Sequence, residues 1–217
     1  MTLLLGDSWK GGYCEQQGRC IDRYEQRFQR LGCRPEALFW SSEKTQMQRY
    51  MVIYQQLQTW KGCSILDVGC GFADFYDFLL RKGLDPMQIM YVGIDASAMM
   101  CQTALNAYPG VRVLHEDLLF YEGPMVDVVV MVGAMNYVFE DHESYLKRML
   151  LRMWQLSKQW MLLSLLSASS SNKERIFYYY TQEELRSYVD ELGLEGELRF
   201  VTGYLDNDVL MVIEKSG

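Results

Sequence analysis

The chain of 217 residues is long enough to bury a substantial core, and at about 150 residues per domain it forms one domain or one domain with an appendage. Its 21 lysines and arginines stand against 28 aspartates and glutamates, and the net charge of −7 argues against a general affinity for nucleic acid or anionic lipid. No apolar run approaches the roughly 18 residues that span a bilayer, and residues 1–6 lack the basic segment of a secretory signal.

The cysteines and histidines argue against a metal site and against a disulfide framework. None of the six cysteines forms a Cys-x-x-Cys pair, and the two histidines are His115 and His142. Free thiols in a chain of this size without a signal are typical of a reducing compartment. We therefore expect a cytoplasmic protein with no metal and no contact with a membrane.

The first 62 residues read as helical. Apolar side chains recur at a helical period over 21–31, and Gly32 ends that helix. Ser42 is a suitable N-cap for a second helix, whose predicted apolar face carries Met47, Met51, Tyr54 and Leu57. We predict a helical cap over residues 1–62, followed by a core domain over 63–217.

From residue 63 onward, short β-rich runs alternate with helical ones. The predicted helices cover 74–82, 98–107 and 142–156, and the predicted strands cover 64–68, 90–94, 111–114, 126–132 and 159–166. Alternation of strands and helices indicates an α/β fold with a doubly wound, mostly parallel sheet.

The end of the chain has a different pattern. Thr181 and Glu184 form a capping box that begins a last helix. The strands predicted at 197–202 and 209–214 are separated by a connection too short for a parallel crossover, so they form an antiparallel hairpin.

A glycine-rich turn directly follows the first predicted strand. Asp67, Gly69 and Gly71 form an Asp-x-Gly-x-Gly pattern where the buried strand meets a helix. Glycines there let the backbone approach a nucleotide-like ligand. A dinucleotide fingerprint needs a further glycine at the sixth position, where this chain has Asp74, and carboxylates at a turn are repulsive to phosphates.

Two further acids stand at the ends of the next strands. Asp95 ends the second strand, where a carboxylate accepts hydrogen bonds from the two hydroxyls of a ribose. Asp117 follows the third strand and could accept from an exocyclic amine, while the Leu118 amide could donate to a ring nitrogen. Together these residues describe an adenosine site whose remaining group is not a phosphate.

The Asp67-x-Gly69-x-Gly71 turn with Asp95 and Asp117 resembles the class I S-adenosylmethionine-dependent methyltransferases over residues 63–217. The resemblance implies a seven-stranded Rossmann-like sheet of order 3-2-1-4-5-7-6 with the last strand antiparallel. It also implies S-adenosyl-L-methionine as cofactor and S-adenosyl-L-homocysteine as product. Ala73 departs from the family pattern, because many members carry a third glycine there, and we expect little consequence from the small alanine.

Carried onto this chain, the resemblance assigns parts of the cofactor to particular residues. The turn would cradle the methionine part and the ribose, Asp95 would hold the ribose hydroxyls, Ala96 would pack on the adenine, and Asp117 with Leu118 would read its edge. From the cap, Trp40 either closes over the methyl donor or lies in the core, and Arg49 either pairs with the cofactor carboxylate or is a solvated charge. The predicted cofactor-binding residues are Asp67, Gly69, Cys70, Gly71, Asp95, Ala96, Asp117, Leu118, Gly133, Trp40 and Arg49.

Three residues after the fourth strand are candidates for catalysis. Many small-molecule methyltransferases carry a histidine there that faces the acceptor, and this chain has Asn136 and Tyr137 instead. Tyr137 either orients or deprotonates an acceptor or simply packs. His142, at the start of the next helix, is either catalytic or solvent-facing. Methyl transfer chiefly requires alignment and a dry site, so a general base is not obligatory.

The sequence thus predicts a methyltransferase enzyme that acts on nitrogen, oxygen or sulfur of a small molecule. The acidic balance and the helical cap favour a small acceptor over a nucleic acid. The alternatives are an RNA or protein methyltransferase and a non-catalytic S-adenosylmethionine-binding module. The identity of the acceptor, the role of the segment 167–180, and the choice between a monomer and a homodimer stay open.

Overall fold

The computed structural model describes residues 8–215 of the chain. The stretch 1–6, in which we saw no secretory signal, lies outside the described residues. Within residues 8–215, no helix combines the length and the apolar character that a bilayer crossing needs.

A single seven-stranded sheet forms the centre of the fold. Its order is β3-β2-β1-β4-β5-β7-β6, and β7 runs antiparallel to both of its neighbours. The predicted fold class and strand order are therefore confirmed. The strands are β1 (Ser64–Val68), β2 (Met90–Asp95), β3 (Val113–His115), β4 (Val126–Val132), β5 (Ser157–Leu166), β6 (Glu197–Val201) and β7 (Asp208–Glu214).

Six α-helices surround the sheet, and those after residue 63 lie close to their predicted positions. They are α1 (Ser8–Leu31), α2 (Glu43–Tyr54), α3 (Asp74–Arg81), α4 (Ala98–Ala107), α5 (His142–Leu156) and α6 (Gln182–Glu191). Two short 3-10 helices at Pro35–Leu38 and Pro86–Gln88 complete the set. The Ser42 hydroxyl accepts a hydrogen bond from the Thr45 amide, and Thr181 with Glu184 forms the predicted capping box.

The two N-terminal helices differ from the prediction. α1 is twice as long as expected, because Gly11, Gly12 and Gly18 lower helix propensity and obscure the pattern before residue 21. Met47, Met51, Tyr54 and Leu57, predicted to share an apolar face of α2, are half-buried against the core, while the fully buried positions of the helix are Gln46, Arg49, Tyr50 and Ile53. Two polar side chains face the interior there because they bind other buried groups.

The core consists of two layers, one on each face of the sheet. Ile65 of β1 and Val128 of β4 pack on one face with α2, α3 and α4, while Leu66 and Val129 pack on the other with α5 and α6. Side chains alternate between faces along a strand, and both faces are covered. The strand β1, which is buried throughout, and β4, which is buried except at Asp127, therefore hold the turns that follow them at the carboxyl edge.

Candidate active site

A cavity of about 510 Å³ opens at the carboxyl ends of β1, β2 and β4. Its walls come from α1, the segment 38–41, α2, the turns after the central strands, and the segments 170–179 and 205–207. All the residues predicted to bind the cofactor line this cavity, namely Asp67, Gly69, Cys70, Gly71, Asp95, Ala96, Asp117, Leu118, Gly133, Trp40 and Arg49. The carboxyl edge of parallel strands is the usual ligand site of such sheets.

The glycine turn needs glycine for two separate reasons. Gly69 and Gly71 have φ of +69° and +54°, which side chains with a β-carbon rarely adopt. A β-carbon on Gly69 would also collide with the Ala134 side chain. Ala73, at the N-cap of α3, is buried and has a left-handed backbone with φ of +61°. The turn therefore keeps a left-handed conformation at the position where an alanine replaces the third glycine.

Asp95 joins the glycine turn to the start of α4. Its Oδ2 accepts a hydrogen bond from the Gly71 amide at 2.9 Å, and its Oδ1 accepts from the Ser97 amide at 2.9 Å. Burial raises the pKa of this carboxyl, while the two amide donors oppose the rise. Each oxygen retains a lone pair, so the carboxylate can still accept from the two hydroxyls of a ribose.

Asp67 is buried at the end of β1 and accepts a hydrogen bond from the Tyr91 hydroxyl at 2.6 Å. Burial raises the pKa of Asp67 to about 7, because the ionised form loses its hydration, and the Tyr91 hydrogen bond only partly opposes this. Asp67 therefore holds its proton up to a higher pH than an exposed aspartate does.

Asp117 is held by a residue of α1. Its Oδ2 accepts from the Tyr13 hydroxyl at 2.6 Å, and its Oδ1 accepts from the Leu119 amide at 2.9 Å. The Tyr13 ring packs against the stacked rings of Phe139 and Tyr145, with its centroid 5.9 Å from each of theirs. α1 thus closes the adenine end of the predicted site and fixes the carboxylate that would read the adenine edge.

The guanidinium of Arg49 forms a buried ion pair. Its Nε lies 2.5 Å from Asp208 Oδ2, both side chains are almost fully buried, and Nη1 donates to the Thr45 carbonyl at 3.1 Å. The charge of Arg49 is therefore balanced within the protein. The guanidinium also lies over the Trp40 ring, 5.0 Å from its centroid. A β-carbon on Gly133 would lie 2.8 Å from that ring, so Trp40 covers Gly133.

The structure separates the three residues predicted to act in catalysis. Asn136 lines the cavity, whereas neither Tyr137 nor His142 is among its lining residues. Tyr137 instead forms an isolated β-bridge with Phe177 and lies edge-on to Phe139, 6.1 Å away.

His142 is buried rather than solvent-facing. The Tyr180 hydroxyl donates to the Met135 carbonyl, so it accepts from Nε2 of His142 at 2.8 Å, while Nδ1 accepts weakly from the Phe139 amide at 3.4 Å. Burial lowers the pKa of His142 to about 4. Both ring nitrogens form hydrogen bonds within the core, so this neutral imidazole has a structural role.

Several lining residues were missed from the sequence. Tyr50, one residue after Arg49 on α2, is buried against the cavity, and its hydroxyl accepts from Gln46 Nε2 at 3.1 Å. Tyr13 and Asp208 reach the site region only through tertiary contacts. The burial of Tyr50 could have been inferred from the sequence, because the helical period places it on the same face of α2 as Gln46 and Ile53. No local pattern pointed to Tyr13 or Asp208.

The charges around the cavity are unsuited to phosphate. Asp67, Asp95 and Asp117 line it together, and Arg49 is the single base among the described lining residues. Because Arg49 is paired with Asp208, no excess positive charge faces the cavity. These carboxylates can accept hydrogen bonds from ribose hydroxyls and from an amine, and no cation that could bind a phosphate lies beside the turn among the described lining residues. The site therefore fits an adenosine with a cationic substituent.

The comparisons with known proteins agree with this geometry. Residues 65–154 match a family model described as a methyltransferase domain. A comparison with curated protein sequences found no match.

Among solved structures, the chain is similar to magnesium protoporphyrin IX methyltransferase from Synechocystis PCC 6803 with bound SAM, at 16% identity and a TM-score of 0.55 over 79% of this chain and 77% of that chain. It is also similar to a possible histamine N-methyltransferase from Thermotoga maritima, at 19% identity and a TM-score of 0.62 over 89% and 100% of the two chains. A TehB-like SAM-dependent methyltransferase from Corynebacterium glutamicum shares 15% identity and a TM-score of 0.59 over 92% and 100%.

These similarities show a shared fold. The match to the family model covers the part of the chain that contains the glycine turn, Asp95 and Asp117. Together with the strand order and the placement of Asp67, Asp95 and Asp117 around the cavity, these similarities agree with the resemblance of residues 63–217 to the class I S-adenosylmethionine-dependent methyltransferases.

Proposed function

We propose that the protein transfers a methyl group from S-adenosyl-L-methionine to nitrogen, oxygen or sulfur of a small molecule and releases S-adenosyl-L-homocysteine. The observation that carries this proposal is the convergence of the glycine turn, Asp95 and Asp117 on one cavity beneath α1. Gly71 and Ser97 orient Asp95 toward a ribose, and Tyr13 orients Asp117 toward an adenine edge.

When bound, the cofactor supplies a sulfonium methyl group, and a lone pair of the acceptor bonds to the methyl carbon as the carbon–sulfur bond breaks and leaves its electron pair on sulfur. The residues of this chain hold and align the reactants for that displacement. Gly69 and Gly71 admit the amino-acid part of the cofactor close to the backbone. Tyr50 offers a buried hydroxyl, which we assign to the same part.

The covering of the cavity supports a small acceptor. α1 lies over one end, and Trp40 covers Gly133 at the other. Aromatic rings of Tyr24, Phe39 and Phe177 line the cavity in contact with one another, with centroid separations of 5.0 Å for Tyr24–Phe39 and 5.4 Å for Phe39–Phe177. Such walls exclude water and leave room for a compact substrate rather than for a polymer.

No imidazole general base is part of the proposal. His142 is excluded from the lining, and its pKa is lowered to about 4 by burial. An acceptor that presents a lone pair at neutral pH needs no such base. A cytoplasmic location, and a monomer or homodimer, remain predictions from the sequence.

The test is a thermal-shift and calorimetric comparison of S-adenosylhomocysteine, S-adenosylmethionine and NAD. Either sulfur ligand at 100 times its dissociation constant adds about 2.7 kcal/mol to the free energy of unfolding, whereas NAD adds nothing. Asp95→Ala removes acceptors for both ribose hydroxyls, so we expect affinity for the homocysteine product to fall at least tenfold.

Asp190→Ala is the matched control, because Asp190 is exposed on α6 and outside the cavity. A folded native protein that both sulfur ligands fail to stabilise would refute the proposal. Binding without methyl transfer to a broad panel of small acceptors would favour the non-catalytic module instead.

A further inference from the structure

The side-chain amide of Asn136 has a fixed orientation in the cavity wall. Its Oδ1 accepts a hydrogen bond from the Leu166 amide at 3.0 Å, which a flipped side chain would replace by a clash of two donors. Its backbone carbonyl accepts from the Tyr178 amide at 2.7 Å, and its backbone N–H donates to the Gly133 carbonyl at 3.3 Å. The Nδ2 group therefore points away from Leu166.

The Nδ2 group is a buried donor without an acceptor among the described residues. Asn136 is only 7% exposed, it lines the cavity, and its Nδ2 would lie 3.4 Å from a β-carbon placed on Gly133. An unsatisfied buried donor destabilises a complex, so a ligand that displaces water from Nδ2 must supply a lone pair.

The surroundings of Nδ2 describe the shape and polarity of that ligand. The Trp40 ring approaches the same side of Gly133 as Nδ2, and Phe39 and Phe177, whose rings are in edge-on contact, also line the cavity. Among the described residues, no histidine or lysine lines the cavity, and Arg49 is engaged by Asp208. A donor beside the Trp40 ring, in a cavity that Phe39 and Phe177 also line, accommodates a planar molecule with a hydrogen-bond-accepting atom.

Resting on the proposed function, we propose that Asn136 selects the methyl acceptor by donating from Nδ2 to a carbonyl oxygen or ring nitrogen of a planar substrate, next to the atom that is methylated. Asn136 is then a specificity-determining residue rather than a base. The amide cannot remove a proton, and a planar molecule without the lone pair leaves the donor unpaired.

The test uses the native protein saturated with S-adenosylhomocysteine and two probes of the same shape, acetophenone and α-methylstyrene. Only acetophenone carries an oxygen that can accept from Nδ2. In ¹⁵N–¹H spectra we expect acetophenone to shift the Asn136 side-chain amide signals and to bind at least about tenfold more tightly than α-methylstyrene. Equal binding of the two probes, or binding of neither, would overturn the proposal.

A second experiment repeats the comparison of the two probes with the Asn136→Asp variant. The aspartate still accepts from the Leu166 amide but presents an oxygen in place of Nδ2, so the preference for acetophenone should disappear. Asn106→Asp, the same substitution at an exposed position of α4, should retain it. Retention of the preference by folded Asn136→Asp contradicts the inference.

Titration with S-adenosylhomocysteine separates this proposal from the proposed function. Asn136→Asp should bind that ligand within about threefold of the native protein. A larger loss, with Asn106→Asp unaffected, would place Nδ2 in the cofactor site and overturn the assignment to the acceptor. Failure of the native protein to bind the ligand would instead remove the proposed function itself.

Discussion

Individual buried carboxylates define this site, and each is held by a specific donor. Tyr91 donates to Asp67, two backbone amides donate to Asp95, and Tyr13 donates to Asp117. Burial raises the pKa of all three acids. The site is thus formed at a cost in stability, since carboxylates that lose hydration on folding weaken the folded state wherever they are ionised.

Asp67→Asn should make the protein more stable at pH 8 and leave it almost unchanged near pH 4. The pKa of Asp67 rises on folding from 3.8 to about 7, so the folded state holds the proton more tightly and native stability falls as pH rises through that window. Asparagine still accepts from Tyr91 without a charge. We expect a gain of roughly 2–4 kcal/mol at pH 8, measured by urea unfolding across pH.

Asp190→Asn provides the control for this measurement, because its exposed side chain should give no such pH-dependent gain. A difference between Asp67→Asn and native protein that stays constant from pH 4 to pH 8 would contradict the pKa assigned to Asp67.

At the scale of elements, α2 is attached to the sheet by polar contacts as well as by apolar ones. Arg49 of α2 pairs with Asp208 at the start of β7, and Asp208 also accepts from Ser164 of β5 at 2.8 Å and from Tyr204. Each of the three Arg49 guanidinium nitrogens and both Asp208 carboxylate oxygens has a hydrogen-bond partner, which is the condition under which a buried pair is tolerated. The cluster fixes α2, and with it Trp40, relative to the carboxyl edge of the sheet.

Arg49→Met should destabilise the protein by about 3 kcal/mol, because it leaves the buried Asp208 without a counter-charge. The double variant Arg49→Met, Asp208→Asn should recover at least about 1 kcal/mol of that loss. Arg81→Met, which breaks the exposed pair with Asp77, should cost less than about 1 kcal/mol. Urea unfolding of all variants gives the coupling energy, and additive effects at Arg49 and Asp208 would contradict this account.

At the scale of the whole molecule, the net charge of −7 and the acidic cavity act in the same direction. A surface that binds nucleic acid non-specifically needs clustered lysines and arginines, and its affinity falls steeply with salt. The described lining of the cavity offers Arg49 alone, already paired. The negative charge of the molecule and of the cavity therefore favours a small acceptor over a nucleic acid.

Fluorescence anisotropy with a labelled single-stranded RNA should therefore detect no binding at micromolar protein, at either about 50 or about 200 mM salt. Between these two salt concentrations, the affinity of a protein that binds RNA electrostatically falls by orders of magnitude. A lysine-rich peptide under the same conditions is the positive control. Binding at the lower salt that disappears at the higher salt would support the RNA methyltransferase alternative.

The sequence predicts the fold from residue 63 onward because its signals are local. Strand and helix periods, the Gly69 and Gly71 turn and the Thr181 capping box each depend on neighbouring residues. Asp95 and Asp117 could be placed at one edge because consecutive parallel strands end there. The lining of the cavity by these residues follows the same logic.

The remaining parts of the site depend on contacts between distant residues. Arg49 and Asp208 are 159 positions apart, and Tyr13 and Asp117 are 104 apart. The burial of His142 depends on Tyr180, and the free amide of Asn136 depends on Leu166. No periodicity within either segment carries this information, so the sequence left two interpretations open for Arg49 and two for His142, and it predicted neither buried partner.

The left-handed backbone of Ala73 has a consequence for the balance between folded and unfolded states. Alanine pays about 1–2 kcal/mol for that conformation, and a glycine would not. In the unfolded chain, however, glycine samples more conformations than alanine and loses about 0.4–1 kcal/mol more on folding. The two effects oppose each other, so about half of the strain in the turn is offset by the lower conformational entropy of the unfolded chain. The protein can therefore hold an alanine where the backbone geometry favours glycine.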